Sequence, residues 1–249
     1  MLQQVVFAEC VLIKKITEVK SCVRKILEKE EAKNVLILFD VDTTLIQYIK
    51  KPTNTKKQAS YQKPSSNLTI KEKELSFTKT FHKNKMILID NAAPELIKEL
   101  QTKGVKVIAY TSSLVNPDKS ISNKMLFKFR DALQKIGLDF TAHELPTSVK
   151  PLQRFRRYFN DYPTFYHGIL STNGQYNKNI DDGAVLLEFL QSLTPERTPS
   201  TCGTYKPKTI IFVSSDVEKM SNIESKLSTI QPNIEFICLQ CTNSTHYEQ

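Results

Sequence analysis

Tryptophan is absent from the 249 residues, and glycine occurs only six times. Apolar runs are short, and none approaches the roughly 18–20 residues needed to cross a bilayer. The longest near the start, Val5 to Ile13, is interrupted by Glu9 and followed at once by Lys14 and Lys15. A secretory leader puts its positive charge ahead of the apolar stretch, so this start reads as the beginning of a helix in a chain made in a cytoplasm. Five cysteines (Cys10, Cys22, Cys202, Cys238, Cys241) are an odd number, widely scattered. That excludes a disulfide framework and suits a reducing compartment. The lone CxxC of Cys238 and Cys241 lacks a second ligand pair, and Cys238 reads as a strand residue in Phe236-Ile237-Cys238-Leu239.

What is present is ordinary for a globular α/β protein: 40% hydrophobic and 24% charged residues, in a length that supports one sizeable core. The net charge of +9 is concentrated. Residues 51–85 hold nine lysines against Glu72 and Glu74, leaving the rest of the chain at only +2. A near-neutral domain with one basic insertion is not a uniformly basic nucleic-acid binder, and nucleic acid is not an expected partner.

Residues 8–31 carry apolar positions at helical spacing, which predicts an amphipathic N-terminal helix within a segment 1–32. A domain spanning 33–242 follows, then a tail, 243–249. Val35 to Phe39, Val105 to Tyr110 and Thr209 to Val213 read as strands buried on both faces. Phe165 to Leu170 and Ile234 to Leu239 add two more. Helices are predicted over Pro94–Lys103, Asn123–Ile136, Ala184–Leu193 and from Asp216 to about Leu227. The stretch 49–85 loses periodicity and reads as a disordered basic insertion. Alternating strands and helices define a three-layer, doubly wound parallel sheet, whose ligands bind beyond the carboxyl ends of the strands. A second basic cluster (Lys150, Arg154, Arg156, Arg157, interleaved with Phe155, Tyr158 and Phe159) reads as one amphipathic helix.

Three strand ends carry the candidate chemistry. Asp40 and Asp42 close the first buried strand in Asp40-Val41-Asp42-Thr43-Thr44. At that spacing one carboxylate can serve as nucleophile and the other as general acid; the same residues also suit an Asp-rich turn. Thr111-Ser112-Ser113 offers hydroxyls and amides to a phosphate, or simply starts a helix. Ser214-Ser215-Asp216 ends a third strand, with Asp216 either a ligand or a helix N-cap.

In this order, at these element ends, the set resembles the haloacid dehalogenase (HAD) superfamily, whose first motif, DxDx(T/V), is matched by Asp40, Asp42 and Thr44. It resembles most the DUF2608 group of HAD-like proteins from intracellular Gram-negative bacteria. Pro94 to Gln101, Gly137 to Thr141, Tyr166 to Leu170 and Leu186 to Leu190 carry that likeness. The resemblance implies a HAD-like fold with a cap-position insertion and a Mg²⁺-dependent phosphohydrolase. Asp40 would attack phosphorus to give an aspartyl-phosphate, and Asp42 would protonate the leaving group. Thr111 and Ser112 would hold the phosphoryl group, with Lys178 as the basic residue of the third motif. Mg²⁺ would be held by Asp40, Asp42 and Asp216. Two motifs depart from the pattern: Asp182 stands before Gly183 where relatives carry lysine, and Ser214 and Ser215 stand where acids are expected. The substrate class implied is a phosphorylated small molecule or protein. The alternative is a catalytically degenerate binding protein, a bacterial effector acting on a host partner after export without a conventional signal peptide.

Overall fold

The computed structural model describes residues 10–42, 44–50, 84–112, 122–141, 150–155, 162–172, 181–193, 205–231 and 233–242. Expectations placed on the 51–83 stretch, on Lys178, Ser113, Arg156, Arg157 and Cys202, and on the tail fall outside these residues.

The apolar runs become strands because large aliphatic and β-branched side chains fit a pleated, covered surface. In chain order these are β1 (Cys10–Ile13), β2 (Val35–Asp40), β3 (Ile46–Lys50), β4 (Asn84–Leu88), β5 (Lys106–Thr111), β6 (Lys150–Pro151), β7 (Thr164–Tyr166), β8 (Ile169–Ser171), β9 (Thr209–Ser214) and β10 (Glu235–Cys241). The helices are α1 (Val19–Leu27), α2 (Ala93–Thr102), α3 (Ser122–Lys135), α4 (Asp182–Ser192) and α5 (Val217–Ile230). Among the described residues, eight strands form one sheet in the order β1-β10-β9-β2-β5-β8-β7-β6, parallel from β1 to β8. At one edge β7 runs antiparallel to both of its neighbours, β8 and β6, and β3 and β4 form a separate antiparallel pair.

The central strands β2, β5 and β9 are buried at every position, and their side chains alternate between two cores. Val35, Ile37, Phe39, Val107, Ala109, Ile211 and Val213 pack with residues of α1, α2 and α3. Leu36, Leu38, Ile108, Tyr110, Ile210 and Phe212 pack with α4 and α5. Each fully buried Leu, Ile or Phe contributes about 1.5–3 kcal/mol, whereas exposed pairs such as Lys20–Glu99 and Lys103–Glu99 contribute at most about 1. The two apolar cores therefore set the stability.

β2 lies between β5 and β9. The chain leaves β2 toward β5 and β8, then crosses back through α4 to β9 on the other side of β2. This reversal of strand order falls at β2, whose carboxyl end is the usual ligand position in such sheets.

Four local expectations change. Residues 10–13 do not extend the first helix but form the edge strand β1, paired with β10 from Cys10↔Cys238 to Ile13↔Cys241. Main-chain pairing there covers a sheet edge that a longer helix would leave open. Phe165 to Leu170 is a hairpin, β7 and β8, turning through His167 (φ 44°) and Gly168 (φ 78°). The 49–85 stretch is ordered at both ends, because Lys50 pairs with Asn84 and Ile49 with Lys85 in the β3–β4 ladder. Lys150 lies in β6 rather than a helix, and Arg154 pairs with Glu188 of α4 at 3.2 Å.

Candidate active site at the carboxyl edge of the sheet

Strand parity aims Asp40 into the layer of α4 and α5. It is an even-numbered residue of β2, as Leu36 and Leu38 are, and it is fully buried. A carboxylate there must find partners or a proton, and it finds two. Ser214, at the end of β9, donates its hydroxyl to Oδ2 at 2.7 Å. Lys219, in the first turn of α5, places Nζ 3.0 Å from both Oδ1 and Oδ2. Lys219 is itself 8% exposed, and its ammonium lies 5.8 Å from the centre of the Tyr110 ring.

Asp42 turns the other way. Its Oδ2 accepts the Thr111 hydroxyl at 2.7 Å and the Ser112 backbone N–H at 2.8 Å. The loop between Asp40 and β3 is tight, with the N–H groups of Leu45 and Ile46 both donating to the Val41 carbonyl at 3.2 Å. It is tied to the loop after β9, since Thr44 Oγ1 accepts the Ser215 N–H at 2.9 Å and lies 3.2 Å from Ser215 Oγ. Asp182, at the start of α4, accepts the Tyr110 hydroxyl on both Oδ1 and its own carbonyl, at 3.2 and 3.1 Å.

Burial is the largest influence on Asp40 and pushes its pKa up to about 7, with the Asp42 charge adding and Lys219 and Ser214 opposing. Burial alone would lower the Lys219 ammonium, but Asp40, Asp42 and Asp182 outweigh it and hold it above the usual lysine value. Asp182 is raised, chiefly by burial, against the pull of Thr172, Lys219 and Tyr110. Both members of the buried pair move upward, as expected when a costly buried carboxylate leans on a lysine that several acids surround.

The sequence-derived candidates separate into groups. Asp40 meets Ser214 and Lys219, while Asp42 meets Thr111 and Ser112. Asp216 is exposed, and its Oδ1 caps α5 by accepting the Lys219 N–H at 3.0 Å. Its own N–H donates to Ser214 Oγ at 3.0 Å, so Asp216 acts as an N-cap rather than as a partner of Asp40. Lys219 and Asp182 were missed as site residues. The signal for Lys219 was available, because it stands four and eight residues before Ile223 and Leu227, on the buried stripe of α5. A lysine on an apolar stripe calls for a buried acid.

A divalent cation bridging Asp40 needs oxygen donors, several of them anionic. Ser214 and Ser215 are neutral hydroxyls, Asp216 is exposed with Oδ1 on the helix cap, and the Lys219 ammonium already faces both Asp40 oxygens. Among the described residues, no group of three or more His, Cys, Asp or Glu side chains is placed to hold a metal. The residues present do not fit the Mg²⁺ site that the HAD resemblance implies. In the CxxC, burial pushes the Cys238 and Cys241 thiols up to about 12.

These features define an α/β protein with a mostly parallel sheet and an acid–lysine cluster at the carboxyl edge of its central strand. The chain belongs to the DUF2608 family, described as a protein of unknown function, whose model matches residues 13–249. It is similar to an uncharacterized protein of Rickettsia conorii, 28% identical over 170 residues, which cover 68% of this chain and 52% of that one. An uncharacterized protein of Rickettsia bellii is 24% identical over 213 residues, covering 82% and 67%. The chain thus spans about half the length of the first relative and two thirds of the second. No solved structure matches it. No described helix is long and apolar enough to cross a membrane.

Proposed function

We propose that this site performs phosphoryl transfer, as a HAD-like hydrolase of a phosphomonoester carried by a small molecule or a protein. The observation that carries the reading is the pairing of Asp40 with Lys219 beside an Asp42 already seated on an anion cradle, Thr111 Oγ1 and Ser112 N–H. In the first step an Asp40 oxygen attacks phosphorus, the bond to the leaving oxygen breaks, and Asp42 delivers the proton that oxygen needs. In the second, Asp42 takes a proton from water as the water attacks phosphorus, releasing inorganic phosphate and the Asp40 carboxylate. Thr111 and Ser112 hold phosphoryl oxygens once Asp42 has let go of them. Lys219 offsets the charge of Asp40 between turnovers.

A second reading, a silent anion-binding protein acting on a host partner, is favoured by two features. Both Asp40 oxygens and Asp42 Oδ2 are already satisfied internally, and serines stand where acids would be expected. A generic phosphomonoester assay, with acid quench to trap aspartyl-phosphate, separates the two. Turnover in wild type, lost in Asp40→Asn and reduced roughly 10²–10⁴-fold in Asp42→Asn, is the expected result. Phosphate binding with no covalent intermediate would establish the second reading instead.

A further inference from the structure

The misfit of Mg²⁺ and the position of Lys219 are one observation seen from two sides. An ammonium 3.0 Å from each oxygen of Asp40 already supplies that carboxylate with a positive charge. It is not a mobile surface group. Its backbone N–H is held by Asp216, and Met220, Ile223 and Leu227 of the same helix are buried against the sheet. The charged groups that face it are Asp40 on β2, Asp42 in the following loop and Asp182 on α4. The Asp182 carboxylate is in turn held by the Tyr110 hydroxyl. The Asp42 carboxylate, lying within the field of Lys219 and gripped by Thr111 and Ser112, marks where an external anion has donors waiting.

We propose that Lys219 is the built-in cation of this site, so that a phosphoryl oxyanion binds there without a divalent metal, displacing the Asp42 carboxylate from Thr111 and Ser112. The proposal rests on the phosphoryl-transfer reading of Asp40, and it names the counter-charge that reading leaves open. It also accounts for the two departures from the HAD pattern. The lysine absent beside Gly183 is supplied instead by the neighbouring helix, and Ser214 can be neutral because no second anion is needed to bind a metal.

Inorganic phosphate is the probe, titrated calorimetrically into the full chain, once with a chelator and once with Mg²⁺. Wild type should bind equally in both, within about twofold, and should show no heat for Mg²⁺ alone. Lys219→Met should weaken phosphate binding roughly 10–100-fold, the usual loss for a hydrogen bond from a charged donor. Lys219→Arg should retain most of it. Phosphate binding that appears only with Mg²⁺ would overturn the inference while leaving phosphoryl transfer standing. No binding under either condition would overturn the phosphoryl-transfer reading itself. Circular dichroism checks that each variant is folded, and should Lys219→Met fail to fold, the wild-type comparison with and without metal still decides.

Discussion

Asp40 has no exposed surface and sits beside a lysine almost as deeply buried, an arrangement that links the site to stability through protons. The Asp40 pKa in the folded chain is about 7 against an ordinary 3.8, so the folded state binds a proton here more readily than the unfolded state does. The stability tied to this group is therefore fully present below about pH 3.8 and is lost as pH rises through about 7. Lys219, held above the usual lysine value, contributes in the same sense but at higher pH. Its share is lost only as pH rises through its own raised pKa. Denaturant midpoints measured from pH 5 to 8 should thus fall in wild type and fall less in Asp40→Asn, with the other carboxylates common to both curves. Equal slopes in the two proteins would show that Asp40 is ionised through that range, with Lys219 meeting the whole desolvation cost.

At the scale of elements, α5, which carries Lys219, packs closely on α4 at Gly183. A Cβ built there would lie 2.7 Å from Lys226 Cγ and 2.8 Å from the Asn222 carbonyl oxygen. The Gly183 N–H also donates to Asn222 Oδ1 at 2.7 Å. The lysine side chain can move aside, but the carbonyl belongs to the helix and cannot. Gly183→Ala should push the two helices apart, destabilising the fold by about 1–3 kcal/mol and weakening phosphate binding by shifting Lys219. Chemical denaturation and phosphate titration of the same variant test both parts; a variant with unchanged stability and affinity would mean that the helix contact is softer than its geometry. The elements around this contact were readable from the sequence for a plain reason. Apolar runs such as Val35 to Phe39 are buried on both faces, and helices such as α2, with Pro94 at its start and Gly104 (φ 84°) past its end, carry their own boundary signals. β1 was read as helix because Val11 and Ile13 also fit the helical spacing that continues through Val19 and Val23. Only the long-range ladder to β10 decides between the two. Within the site, the strand ends were legible, and Lys219 was legible as a buried lysine on the apolar stripe of its helix, but its partner was not. Strand parity puts Asp40 on the α4–α5 side, but pairing it with Lys219 requires knowing which helix covers that face.

Across the whole molecule, the charge is carried by one connection. Residues 51–83 hold eight lysines against Glu72 and Glu74, so they account for +6 of the net +9. They join two strands whose ends are already in register, Lys50 opposite Asn84, and β3 begins four residues after Asp42, beside the site. Two antiparallel strands that end opposite one another can be joined by a two-residue Asn-Gly turn, whose twist suits a hairpin. Replacing 51–83 by Asn-Gly should therefore leave the eight-stranded sheet and both apolar cores intact, with stability changed by no more than about 1 kcal/mol. The chain would then carry +3, and what should change is encounter. A lysine-rich stretch joined to a strand that starts near the proposed site would raise association rates of anions through its field, and salt screens that field. Stopped-flow association of a fluorescent phosphorylated ligand should be slower for the shortened chain at low salt, should converge with the full chain as salt rises, and should show the same dissociation rate throughout. If association is equally fast and equally salt-sensitive without the lysines, the basic connection does not steer substrate, and the field at the site comes from Lys219 and its neighbours alone.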